Sequence, residues 1–262
     1  METQQNETEV NQEITSSPEK PLRLLCRDCG QCHAELSDHG DLCKENHRLK
    51  VEEDRMYRVA KANEHGQLTD RTRFIAERQQ WSDPVLEAQN QGAWNRLRNN
   101  EAVSNMRNLF LWGPTGTGKS YLAKCLLIHL CRMGSWVHEI SARRFIRESQ
   151  RFEHGDELLD DLGAVKILLL DDLDKIEFTQ RNINLLWQLL DDRIEKHPVF
   201  IGCGYLTIIT SNLSPAALYQ AMVAAAPENV ATVQALFERT LPREDIEMTG
   251  ASLRREQERT AK

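Results

Sequence analysis

The chain has 262 residues, a formal net charge of −7 and 40% hydrophobic residues, room for one core domain and a smaller module. No apolar run approaches the roughly 20 residues that cross a bilayer, so no membrane association is expected. With an acidic balance, nucleic-acid contact would need a local basic patch rather than overall charge.

Residues 1–20 are polar and acidic. They lack the basic start and apolar core of a signal peptide and read as a disordered tail. Four of the seven cysteines cluster just beyond, which suits a metal site in a reducing compartment better than a disulfide scaffold. A cytoplasmic location follows. Within residues 21–50, Cys26 and Cys29 form a C-x-x-C-G knuckle, and Cys43 and His47 fall at C-x₃-H spacing, one face of a helical turn. Structural zinc takes four nitrogen or sulfur ligands in a tetrahedron. The preferred Zn²⁺ set is Cys26, Cys29, Cys43 and His47, with Cys32 the alternative and His39 a weaker one. An iron–sulfur cluster and a set of free thiols are the competing readings.

Residues 51–81 are highly charged with a weak apolar stripe and read as a solvated helical linker. Ser82-Asp83-Pro84 is a helix cap with proline in the first turn. A helix over 84–99 then leads to the apolar run 108–112, a buried strand. Trp81 and Trp94 are candidates for an adenine-side wall, with core packing the simpler job for either.

Gly113, Pro114, Thr115, Gly116, Thr117, Gly118, Lys119 and Ser120 match G-x-x-x-x-G-K-[ST], the phosphate-binding P-loop. The context is the required one: strand before, helix over 121–133 after. Glycines let backbone N–H groups close around an anion, and the helix N-terminus adds partial positive charge. Lys119 would reach the β- and γ-phosphates of ATP, and the Ser120 hydroxyl would ligate Mg²⁺.

Residues 136–140 read as the second strand, and Ser141 caps the following helix. Arg143, Arg147 and Arg151 fall at i, i+4 and i+8 beside Arg144, with Phe145 and Phe152 in the same segment. Arginine on phosphate and base stacking on an aromatic ring hold single strands without reading sequence. A solvated basic face with Phe145 in the core is the equal alternative.

The run 166–170 is a buried parallel strand with Asp171 and Asp172 at its C-terminal end, where open α/β sheets place ligands. This is a Walker B motif: Asp171 would hold Mg²⁺ and Asp172 would deprotonate the attacking water. A helix over 180–196 carries Ile183, Leu186, Leu190 and Ile194 on one face. The strand 204–212 ends in Asn212, whose amide can position the same water. Ser214-Pro215 opens a helix, an alanine-rich stretch over 221–226 follows, and a last helix spans 228–239.

The order of P-loop, apolar-Asp-Asp, Thr210-Ser211-Asn212, Phe237-Glu238-Arg239 and the closing Thr249-Gly250-Ala251-Ser252-Leu253-Arg254-Arg255 resembles the AAA+ ATPases of the DnaC/DnaI helicase-loader and IstB family. The resemblance runs over residues 82–255 and implies a P-loop parallel sheet flanked by helices, preceded by the zinc module, without a helical lid domain. It implies Asn212 as sensor I, Arg239 as arginine finger and Arg254 as sensor II. Arg147, Arg151, Phe152, Thr179 and Arg181 would contact single-stranded DNA. The expected domains are the tail 1–20, zinc module 21–50, linker 51–81 and ATPase domain 82–262. The implied function is ATP-dependent loading of a replicative DNA helicase onto single-stranded DNA by an ATP-dependent homo-oligomer. An IstB-like transposition helper and a nucleotide-dependent adaptor with little hydrolysis are the alternatives.

Overall fold

The computed structural model describes residues 53 to 252, except 55, 63–66, 71, 73–75, 77–83, 99–107, 152–154, 196–204 and 241–243. The chain divides into two units, Met1–Glu52 and Glu53–Lys262, and every described residue belongs to the second. The tail, and the zinc candidates Cys26, Cys29, Cys32, Cys43 and His47, lie outside the described residues.

Among the described residues five strands make one sheet: β1 Asn108–Trp112, β2 Val137–Ser141, β3 Ile167–Asp171, β4 Leu206–Ser211 and β5 Glu244–Glu247. All pairings are parallel, in the order β2-β3-β4-β1-β5. Helices connect and flank them: α1 Pro84–Gln89, α2 Gln91–Arg98, α3 Lys119–Arg132, α4 Ala142–Ser149, α5 Gly155–Ala164, α6 Gln180–Glu195, α7 Pro215–Ala225 and α8 Val230–Ala235. Strand residues alternate between faces. Leu109, Leu111, Ile167, Leu169 and Ile208 pack against α2 and α3. Phe110, Ile140, Leu168, Leu170 and Ile209 pack against α4 to α8. Burial on both faces explains why strands 108–112 and 167–170 are continuous apolar runs. No helix among the described residues is long and apolar enough to cross a membrane.

Several expectations change. The stretch 51–81 is not merely solvated: Val59, Ala62, Leu68 and Ala76 join the core on the α3 face. Gln67 accepts a hydrogen bond from the Glu139 N–H of edge strand β2 at 2.8 Å. The helix expected over 84–99 breaks at Asn90, whose side chain bonds the Thr249 backbone in both directions, 2.8 and 3.0 Å. Trp94 is fully buried with Tyr121 6.3 Å from its ring, so it packs the core. The alanine-rich stretch from 221 completes α7. The helix expected to reach Arg239 is split into a 3₁₀ turn, α8 and a π-turn over Leu236–Thr240. Ser141 and Ser214 do cap helices, accepting from the N–H groups of Arg144 and Ala217.

Candidate functional site

Parallel register carries the ends of β1, β3 and β4 to one edge of the sheet. Trp112 pairs with Ser211, so Gly113 and Asn212 leave adjacent strands together. Leu170 pairs with Ile209, so the Walker B carboxylates emerge beside Thr210. Because β4 lies between β1 and β3, Asn212 sits between P-loop and Walker B.

In the P-loop, Gly113 and Gly116 hold φ of 139° and 92°, a region other residues enter at a cost. Space forbids a side chain as well. A Cβ on Gly113 would lie 2.1 Å from the Met248 carbonyl oxygen, and one on Gly116 2.1 Å from Ser252 Oγ. The chain after β5 is therefore folded directly onto the loop. Thr117 Oγ1 donates to the Pro114 carbonyl at 2.9 Å, pinning the turn. Lys119 is only 5% exposed. Its ammonium donates to the carbonyls of Gly113 (2.7 Å) and Pro114 (2.8 Å) and to Asn212 Oδ1 (3.0 Å). Burial lowers its pKa, opposed by the charges of Asp174, Asp172 and Asp171. Ser120, in the first turn of α3, is half-buried.

Across β4, Thr210 ties the two Walker B residues together. Its hydroxyl donates to Asp171 Oδ1 at 2.6 Å and accepts from the Asp172 N–H at 2.8 Å. Asp172 adopts φ 59°, ψ 54°, a left-handed conformation that aspartate tolerates better than most side chains. It turns the chain into a 3₁₀ turn over Leu173–Lys175. Burial, then the charges of Asp171 and Asp174, raise the Asp172 pKa above the usual carboxylate range. Such a shift makes a carboxylate a better proton acceptor. Asp174 fixes Asn212: its oxygens accept from the Asn212 backbone N–H and Nδ2, each at 2.8 Å. Lys175 pairs with the same carboxylate at 2.8 Å. Although burial opposes it, hydrogen bonds from Lys175 and Asn212 hold the Asp174 pKa below its ordinary value. Asn212 thus touches Lys119 and Thr115 with Oδ1 and Asp174 with Nδ2.

The family of IstB-like ATP binding proteins matches residues 52–261. The chain belongs to the IstB-like ATP-binding family. It is 31% identical over 121 residues to an ATP-binding protein named for insertion sequence IS1162 of Pseudomonas fluorescens. That match covers 45% of this chain and 48% of the other, so the chain spans about half the length of this curated relative. Among solved structures, similarity extends to a DnaC helicase loader (19% identity, TM-score 0.46, 61% of this chain and 89% of that one). A DnaI structure gives 22% identity and TM-score 0.44 over 65% and 85%. DnaA from Aquifex aeolicus bound to AMPPCP gives 17% identity and TM-score 0.46 over 66% and 52%.

In this IstB-like protein the DNA candidates are only partly brought together. A cavity of about 620 Å³ is lined by Arg143, Arg147, Lys175 and Thr179, with Gln150 and Asn182 on its wall. Arg143 is fixed there by donating to the Lys175 carbonyl at 2.7 Å. Helix α4 ends at Ser149, so Arg151 does not extend the arginine stripe. Neither Arg151 nor Arg181 lines the cavity. Phe145 is fully buried, and Phe152 lies outside the described residues. Arg239 falls on the π-turn with its side chain outside the described set, as is all of Arg254.

Three site residues escaped the sequence reading. Asp174 stands two positions past Asp172, a signal available in Asp-Asp-Leu-Asp. Thr210 was legible within Thr210-Ser211-Asn212, but not as the residue that ties Asp171 to Asp172. Asn90 donates to the Thr117 carbonyl at 3.5 Å as well as to Thr249, linking the P-loop to the closing stretch. Nothing in its local sequence marks that job.

Proposed function

We propose that this protein hydrolyses ATP and uses the cycle to place a replicative DNA helicase on single-stranded DNA. The observation that carries the ATPase reading is the double grip of Asn212, on Lys119 with one amide atom and on Asp174 with the other. It links the phosphate-binding lysine to the acidic end of β3 through one side chain. Lys119 rests on neutral oxygens of its own loop, acceptors that a triphosphate replaces with charged ones. Asp172 takes the proton of the attacking water, and Asn212 orients that water. Ser120 and Asp171 fit magnesium, a hydroxyl and a carboxylate at the mouth of the P-loop, and would hold it. Magnesium held there would supply positive charge against the phosphates of ATP. Arg239 would act from a neighbouring subunit on the γ-phosphate and Arg254 as sensor II. Arg147 and Thr179, on one cavity with Arg143 and Lys175, would receive the phosphates of single-stranded DNA. Arg151, Phe152 and Arg181 would extend that contact, and the Zn²⁺ module of residues 21–50 would meet the helicase.

The match to an insertion-sequence protein supports a second reading, a helper ATPase of a mobile element. Pull-down with a hexameric helicase, set against pull-down with a transposase, separates the two. For the chemistry, Asp172→Asn should lower turnover about 10²–10⁴-fold with nucleotide affinity retained. Turnover equal to the wild type would remove Asp172 from the role of base.

A further inference from the structure

One buried charge cluster joins Asp171 of the Walker B motif to two residues outside the motifs, Lys124 and Glu139. Alternation along β3 puts Asp171 on the α3 face with Ile167 and Leu169. Glu139 of β2 pairs with Leu169 in register and shares that face. Lys124, on α3, reaches between them. Lys124 is 5% exposed and Glu139 3%, so neither charge is solvated by water, and each needs partners within the protein.

The partners are unequally divided. Lys124 Nζ is bonded to Glu139 Oε1, while Asp171 Oδ2 stands 3.7 Å away, in ion-pair range but beyond a hydrogen bond. Glu139 in turn accepts from the Thr69 N–H (3.2 Å), from Thr69 Oγ1 (3.1 Å) and from Thr72 Oγ1. Those donors come from a segment ahead of the P-loop, docked on the β2 edge. The other oxygen of Asp171 is held by Thr210. Asp171 therefore has one oxygen fixed and one left near a cation committed elsewhere.

We propose that Glu139 is a positioning residue that restrains Lys124 from Asp171, and that Thr69 and Thr72 hold Glu139 in that role. This rests on the reading of Asp171 as the magnesium carboxylate. If Glu139 loses its charge, Asp171 is the other carboxylate within ion-pair reach of Lys124 among the described residues. The ammonium then closes the 3.7 Å gap and competes with magnesium for Oδ2. The consequence is a link between Thr69 and Thr72 and the metal site that bypasses the P-loop.

The test is a magnesium titration of fluorescent ATP-analogue binding by the full chain, with thermal melts as the check of folding. Glu139→Gln should raise the magnesium midpoint about tenfold, a modest share of what an ammonium against a ligand carboxylate can do at a protein-like dielectric. Adding Lys124→Met should return the midpoint to near the wild-type value, since the competitor is gone. A purely structural role predicts the reverse, with the double variant worse than the single one. Thr72→Val should shift the midpoint in the same direction by less, and it carries the test if Glu139→Gln does not fold. Wild-type midpoints in Glu139→Gln or Thr72→Val, or a double variant as shifted as Glu139→Gln, overturn the proposal alone. Wild-type nucleotide binding that needs no magnesium overturns it together with the reading of Asp171.

Discussion

Arg193 and Lys119 stand at opposite edges of the same parallel strands. Arg193, 3% exposed, donates to the carbonyls of Leu162, Val165 and Leu206 and to Thr207 Oγ1, at 2.6 to 3.2 Å. These groups lead into β3 and open β4. Lys119, at the far end, donates to two loop carbonyls and an amide oxygen. Both cations are buried, and both bond neutral oxygens. Burial pushes Arg193 down to about 10, still protonated at neutral pH. The guanidinium is a rigid fork with five donors, and its acceptors are fixed at the ends of β3 and β4. The ammonium is a compact charge on a flexible stem, and its acceptors are two loop carbonyls and one amide oxygen at the mouth of the P-loop. A buried cation is a staple or an exchangeable contact according to whether a charged ligand can take the place of its acceptors.

The difference can be broken experimentally. Arg193→Leu should cost about 3–5 kcal/mol of stability by stranding several carbonyls, read from denaturant unfolding. Nucleotide affinity of the protein that remains folded should be unchanged, and Arg193→Lys should recover only part of the loss. Lys119→Ala should do the converse. Affinity for ATP falls about 10²-fold, or about 2.7 kcal/mol, with little change in the unfolding midpoint. A large stability loss there would mean that Lys119 is a staple too. The smallest effect sharpens the comparison between the two ends. Asn90 is 7% exposed and joins Thr117 to Thr249. Asn90→Ala should cost about 1–3 kcal/mol and weaken ATP binding only a few-fold, since it affects both the fold and the loop.

What could be read from the sequence follows the same division. The P-loop and both Walker strands are local patterns, apolar runs ending in defined polar residues, and the structure sets them one on each side of β4. Strand β5 was illegible because Glu244-Asp245-Ile246-Glu247 is mostly charged. It is a strand through pairing with β1, and Asp245 accepts from Trp112 Nε1 at 3.0 Å. Helix α6 was legible as a helix, but Ile194 was expected in the core and is only half-buried, while Arg193 is buried. Amphipathic patterning assigns arginine to solvent and cannot foresee a ring of carbonyls. The same blindness hid Lys124 and Glu139, which look like ordinary surface charges until the sheet brings them together. The expectation of a continuous basic stripe through Arg151 failed because Gln150 closes the helix.

The strand order also sets a timetable for synthesis. Strand β1 bonds only β4 and β5, with Asn108 opposite Thr207 and Leu109 opposite Glu244. At the ribosome's rate of about 5–20 residues per second, the P-loop strand waits about 5–20 s for its first neighbour. Strands β2 and β3, paired with each other, can associate earlier but have no β4 to join them to β1. The nascent chain thus carries an apolar five-residue strand with both edges open until the last part of the domain emerges. Its vulnerability to aggregation is greatest during translation, and a pause before β4 has emerged would lengthen the exposure.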